Sequence, residues 1–206
     1  AADQLRGLVP DAGHLQHMPT HIDVLCGHYQ TVVDSNSAAI VADRKFLERE
    51  GPLNFYSLYR CHNYHFKIYG AMFLGQYHTA IKTANEMIST LPAELLKVQS
   101  PPMADWLESY VSTKQHVLIR FGRWDDIITQ QLPEDRDLFC VTTAMMRYAR
   151  AVAYATRGDL PSAQNEAVLF DEFHRFYNIL LAERCKHVGH YLAHQTLLVL
   201  RHVRGP

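Results

Sequence analysis

Gly27-His28-Tyr29-Gln30-Thr31-Val32, Gly75-Gln76-Tyr77-His78-Thr79-Ala80, Gly122-Arg123-Trp124-Asp125-Asp126-Ile127 and Gly158-Asp159-Leu160-Pro161-Ser162-Ala163 are four copies of one pattern. Each is a glycine, any residue, a bulky residue, two of any kind, then Ala, Val or Ile. The spacings of 48, 47 and 36 residues fit helical hairpins repeated with insertions, the glycine marking the point where one helix ends and the next begins. Gly51-Pro52, Leu91-Pro92, Ser100-Pro101-Pro102 and Leu132-Pro133 punctuate the units. No alternating Val/Ile/Thr run flanked by hairpin turns argues for strands.

The histidines follow the same register. Thirteen, ten and six residues before the first glycine stand His14, His17 and His21. Before the second stand His62, His65 and Tyr69, and before the third Ser109, Ser112 and His116. Offsets three or four apart form one stripe on a helix, and six of the thirteen histidines fall on it. His62 and His65 therefore project together from a helix over 54–74. Pro19 belongs in a first helical turn, so the helix carrying His21 is expected to start near Met18, with His17 at or before its cap and His14 in the loop after Gly13.

The coarse reading is a helical remnant over 1–9, then pairs at 18–26 with 28–49, 54–74 with 76–90, 103–121 with 123–131, and 137–157 with 159–173. A last helix spans about 177–203. That makes 1–206 a single all-α repeat domain of about four helix pairs plus a C-terminal helix, and the absence of an initiator Met reads as a piece of a longer protein. Met72, Phe73, Trp106, Tyr110, Phe121 and Trp124 recur at helical spacing and are expected in the core.

A formal net charge of -1 without a Lys/Arg run argues against nucleic acid or an anionic membrane as partner. No segment approaches eighteen apolar residues, so no membrane span is expected. Cys26, Cys61, Cys140 and Cys185 form no CxxC pair and read as reduced, mostly buried thiols of a cytoplasmic protein. There is no Gly-rich phosphate loop, no Gly-x-Ser-x-Gly and no His-Glu-x-x-His.

Neutral imidazole is the commonest transition-metal ligand. His14, His17, His21, His62 and His65 are the ligand candidates, with His116 a further one. An all-nitrogen set argues against Ca and Mg, and the stability order puts copper first, with iron or zinc behind. Tyr69, one turn beyond His65, is the candidate catalytic residue, placed to orient a small organic substrate or give it a proton. Copper or iron points to oxidation, zinc to hydrolysis. The other reading is a scaffold whose groove binds a peptide or partner protein without catalysis. A carboxylate clamp would need Lys or Arg on the stripe, and the three offsets hold none. His187, His190 and His194 repeat the spacing on the final helix, where they read as polar residues of an otherwise apolar helix. His28, His78, His174 and His202 are expected to be exposed.

The 36-residue step is near the tetratricopeptide period, and the Gly-x-Tyr-x-x-Ala turn resembles that family's. Ala12-Gly13-His14-Leu15-Gln16-His17-Met18-Pro19-Thr20-His21, with His62-Asn63-Tyr64-His65-Phe66 and Arg120-Phe121-Gly122-Arg123-Trp124-Asp125, resembles a group of large microbial tetratricopeptide-like proteins. These carry Gly-His-Leu-x-His-Met-Pro-Ser/Thr-His and His-Asn-x-His-Phe signatures, and the likeness covers about residues 1–173. It implies a right-handed superhelix of helical hairpins whose first helices line a concave groove. It also implies a further His-containing helix upstream, so that the site would be completed by a missing N-terminal segment or a partner chain.

Overall fold

The computed structural model describes residues 2–184, with side chains described through 172. Among the described residues every regular element is helical: α1 (Ala2–Leu5), α2 (Gly13–His17), α3 (Thr20–Leu25), α4 (Tyr29–Glu50), α5 (Ser57–Phe73), α6 (Tyr77–Ser89), α7 (Ala93–Leu96), α8 (Met103–Val111), α9 (Thr113–Arg120), α10 (Trp124–Ile128), α11 (Cys140–Thr156) and α12 (Leu160–Arg184).

The four repeat glycines build one turn four times. Gly27, Gly75, Gly122 and Gly158 have φ of 76°, 71°, 62° and 78°, the left-handed region that only glycine enters without strain. Each donates its N–H to the carbonyl three residues back, and the next residue donates to the carbonyl five back from itself, as in His28 to Asp23 at 2.8 Å and Gln76 to Ala71 at 2.9 Å. This Schellman pair closes the first helix. The second helix of each pair then begins two residues after the glycine, at Tyr29, Tyr77, Trp124 and Leu160.

Successive pairs pack in chain order: α2 and α3 on α4, α4 on α5, α5 on α6, α6 on α8 and α9, and α10 on α11. The main core gathers Val33, Ile40, Tyr64, Ile68, Met87, Leu95, Leu107 and Val117, and a second cluster centres on Leu118, Ile127, Ala149 and Ala153. No helix among the described residues is long and apolar enough to cross a membrane.

Several details depart from the sequence reading. The 1–9 remnant is helical only over Ala2–Leu5. His14 and His17 lie on a helix, α2, rather than before one, because Met18 and Pro19 both keep right-handed helical angles and let α2 run on toward α3. The 103–121 helix divides at Ser112, whose N–H and hydroxyl both turn back to the Ser109 carbonyl. Nothing interrupts α12 near residue 175, so the last pair ends in one helix that continues to Arg184. Phe73 and Trp106 are 50% and 41% exposed rather than core. Cys61 is buried, Cys140 partly so, and Cys26 exposed. Cys185, His187, His190, His194 and His202 lie outside the described residues, and the side chain of His174 lies outside those described. His28 and His78 are exposed as expected.

Between pairs the chain uses one buried carboxylate as a clamp. Glu108, 3% exposed on α8, accepts from the Thr142 and Val141 N–H groups at 2.7 and 3.1 Å, in the first turn of α11. Burial pushes its carboxyl up to about 7, against the pull of those N–H donors. A carboxyl raised in the folded state contributes stability below its unfolded value, and that contribution is lost as pH rises through 7. The difference in unfolding free energy between wild type and Glu108→Gln isolates this group from the histidines, whose buried neutral forms act in the opposite direction. Between pH 5.5 and 8, urea unfolding should show the wild type losing about 2 kcal/mol relative to the variant. Parallel stability curves would place the Glu108 carboxyl outside the titrating set.

Candidate metal centre

The site lies where α2 and α3 cross α5 over α4. His17 (α2), His21 (α3) and His62 (α5) each offer a ring nitrogen, and the three nitrogens lie within 4.8 Å of one another. The His17 and His21 Nε2 atoms face each other across 3.0 Å, and the His17 and His62 rings stand 4.5 Å apart. With metal–nitrogen bonds of about 2.0–2.1 Å, a pair at that separation subtends roughly 95° at a shared ion. That is the cis angle of a tetragonal site and only a few tenths of an ångström from a tetrahedral one.

Local chemistry fixes His17. It is fully buried, and its Nδ1 lies 2.8 Å from Asn36 Oδ1. The Asn36 Nδ2 donates to the Val32 carbonyl at 2.8 Å, which can only accept. So Oδ1 faces the imidazole, Nδ1 carries the proton and Nε2 keeps the lone pair toward the cluster. The hydrogen between the two Nε2 atoms then sits on His21, and an ion taking its place would take both lone pairs. Orienting contacts of this kind tune metal ligands. Asn36→Ala should weaken metal binding about 10- to 100-fold while the helical content stays intact, as isothermal titration with circular dichroism would show; unchanged affinity would mean the amide only fills space.

All three imidazoles are held neutral. Burial pushes His17 down to about 3 and His62 to about 4, and lowers His21 as well. Phe66 closes one side of the cluster, its ring 4.6, 4.4 and 4.9 Å from those of His17, His21 and His62.

His14 stands next to the trio without joining it. Its ring stacks on His17 at 5.5 Å and meets Tyr59 edge-on at 4.5 Å. Its Nδ1 is buried with no hydrogen-bond partner among the described residues. His65 and His116 form a separate group. Three residues after His62, His65 is turned about 60° around α5, which carries its ring toward Tyr110 of α8 at 5.7 Å and toward His116. Burial and that neighbour push His65 down to about 4. Tyr69 packs on Phe73 at 4.7 Å, which stacks in turn on Tyr29.

Two residues that shape the site escaped the sequence reading, Asn36 and Asp43. Both lie on the buried face of α4 with Val32, Val33, Ala39 and Ile40. A seven-residue recurrence of polar side chains in an otherwise apolar stripe was the available signal. Asp43, 1% exposed, accepts from Tyr56 Oη and Asn63 Nδ2, both at 2.8 Å, so its oxygens are committed away from the histidine trio. Asp23 is likewise committed, to Arg6 at 2.7 and 2.9 Å. No protein-family model, curated protein or solved structure matches this chain.

Proposed function

We propose that this chain is a tetratricopeptide-like stack of helical hairpins that holds one transition-metal ion at His17, His21 and His62. We further propose that it serves as a metal-dependent enzyme oxidising a small organic molecule. The observation that carries the metal reading is the convergence of three neutral imidazole nitrogens within 4.8 Å, from segments some forty residues apart in sequence. The fourfold repeat of one Schellman turn, with hairpins packed in chain order, supports the tetratricopeptide-like reading.

The donor set orders the metals. Three imidazoles and no carboxylate suit copper first and zinc next, and disfavour iron sites built on two histidines and an acid. Held by His17, His21 and His62, copper would supply a one-electron acceptor and zinc an activated water. The chain's own contribution is to keep the ligands neutral by burial, to hold His17 in one tautomer through Asn36, and to exclude water on the Phe66 side. The scaffold alternative draws on a different observation, the exposed apolar side chains of α2 and α3.

The test is metal content. Protein prepared without a polyhistidine tag, stripped with chelator and titrated with Cu(II), Zn(II) or Fe(II), should bind about one equivalent tightly, with copper ahead of zinc. Uptake well below half an equivalent of every ion would end the metal reading and leave the scaffold.

A further inference from the structure

His14 carries the one ring nitrogen at the histidine cluster that is recorded as buried and unpaired among the described residues, its Nδ1. Buried polar atoms in folded proteins are normally paired, and the groups that could pair it are committed elsewhere. Asn36 holds His17, Asp43 accepts from Tyr56 and Asn63, and Asp23 accepts from Arg6. The Phe66 ring, on the trio's closed side, carries no donor atom.

The helix places that nitrogen beside the trio. His14, His17 and His21 stand three and then four residues apart, on one face of the helical run that Met18 and Pro19 carry from α2 into α3. The His14 ring stacks on that of His17, with centroids 5.5 Å and planes 19° apart. A charge on it is felt at both His17 and His62. Its backbone is seated, because Gly13 packs on α4 so closely that a Cβ there would stand 2.7 Å from the Ala39 carbonyl oxygen. The His14 ring therefore moves about χ1 and χ2 alone, and staggered settings of those torsions displace an imidazole by several ångströms.

The ion's own demand supplies the direction. Copper(II) in a tetragonal site and zinc in a tetrahedral one each take four donors, and the trio offers three. Resting on the metal reading above, we propose that an ion bound at His17, His21 and His62 draws the His14 ring in as its fourth nitrogen ligand. The imidazole gives its lone pair and a bound water leaves, with no proton or electron transferred. The orphaned nitrogen then has its partner. His14 also stands between the fully buried His17 and Tyr59, which meets it edge-on at 4.5 Å and is 38% exposed. A small-molecule substrate arriving from that side reaches the ion by displacing His14.

The test counts nitrogens. The full chain, stripped with chelator and free of a polyhistidine tag, is given a sub-stoichiometric amount of Cu(II). Electron paramagnetic resonance then reads the nitrogen superhyperfine splitting. Wild type should show four nitrogens and His14→Ala three, with Cu(II) affinity lowered about 10- to 100-fold. His14→Phe keeps a ring against His17 and Tyr59 but has no donor, so it removes ligation without opening a gap. It should match His14→Ala, with circular dichroism unchanged. Three nitrogens in the wild type, or four that persist in both variants, overturn the proposal and leave the trio standing. No bound Cu(II) in the wild type overturns the trio and the proposal together, so the two failures are told apart.

Discussion

His62→Ala should remove tight copper or zinc binding and leave the helical stack standing. His62 is the one member of the trio contributed by α5, so its loss reduces three converging nitrogens to the two on α2 and α3. Structural metal sites lose affinity by orders of magnitude when a ligand is removed, about 10²–10³-fold or more. The His62 side chain is only half-buried, and the α5 core is carried by Cys61, Tyr64, Ile68 and Ala71, each 1% exposed or less. Circular dichroism should therefore change little, whereas His17→Ala, which also strands Asn36, should cost both metal and stability. His21→Ala should match His62→Ala. His65→Ala and His116→Ala, in the neighbouring group, should retain at least a tenth of the wild-type affinity, and His78→Ala all of it. If His65→Ala abolishes binding while His62→Ala does not, the ion sits one helix face further along α5 and the trio is packing.

The repeat glycine and its offsets carried most of the architecture, because a left-handed helix stop is a local demand that only glycine meets cheaply. The same offsets put His14, His17, His21 and His62 on facing helices. They could not separate His62 from His65, since a stripe read at steps of three and four is some tens of degrees wide and the neighbouring helix takes only part of it. Pro19 was read as a helix start, yet the chain uses it at the head of α3 directly after another helical segment. Asn36 and Asp43 are legible only as polar breaks in the apolar stripe of α4, because they lie on the second helix of a pair, outside any offset that the histidines define. The register also shows why one trio forms among the described residues. It joins the minus-ten and minus-six positions of the first pair to the minus-thirteen position of the second, and one step on the same three positions are His65, Tyr69 and Ser109.

Gly13→Ala should do what no ligand substitution does, by removing the helix that carries the ligands from its seat. A Cβ built on Gly13 would stand 2.1 Å from Asp43 Oδ1 and 2.7 Å from the Ala39 carbonyl oxygen. Asp43 cannot swing aside freely, because Tyr56 and Asn63 both bond it, and the Ala39 carbonyl belongs to the backbone of α4. The strain must be relieved by lifting α2, which moves His17 off Asn36 and away from His62. Forced overpacking of this kind costs about 3 kcal/mol or more, and metal affinity should fall with it by at least about 100-fold. Gly27→Ala is the informative control. Its Cβ would meet nothing within 4 Å, and only the positive φ of 76° opposes it, so it should cost about 1–2 kcal/mol and leave metal affinity within a few-fold of wild type. Thermal unfolding and metal titration of the two variants side by side read the difference. Equal losses would mean that α2 is held by the turn at Gly27 rather than by its contact with α4, and that the position of His17 does not depend on Gly13.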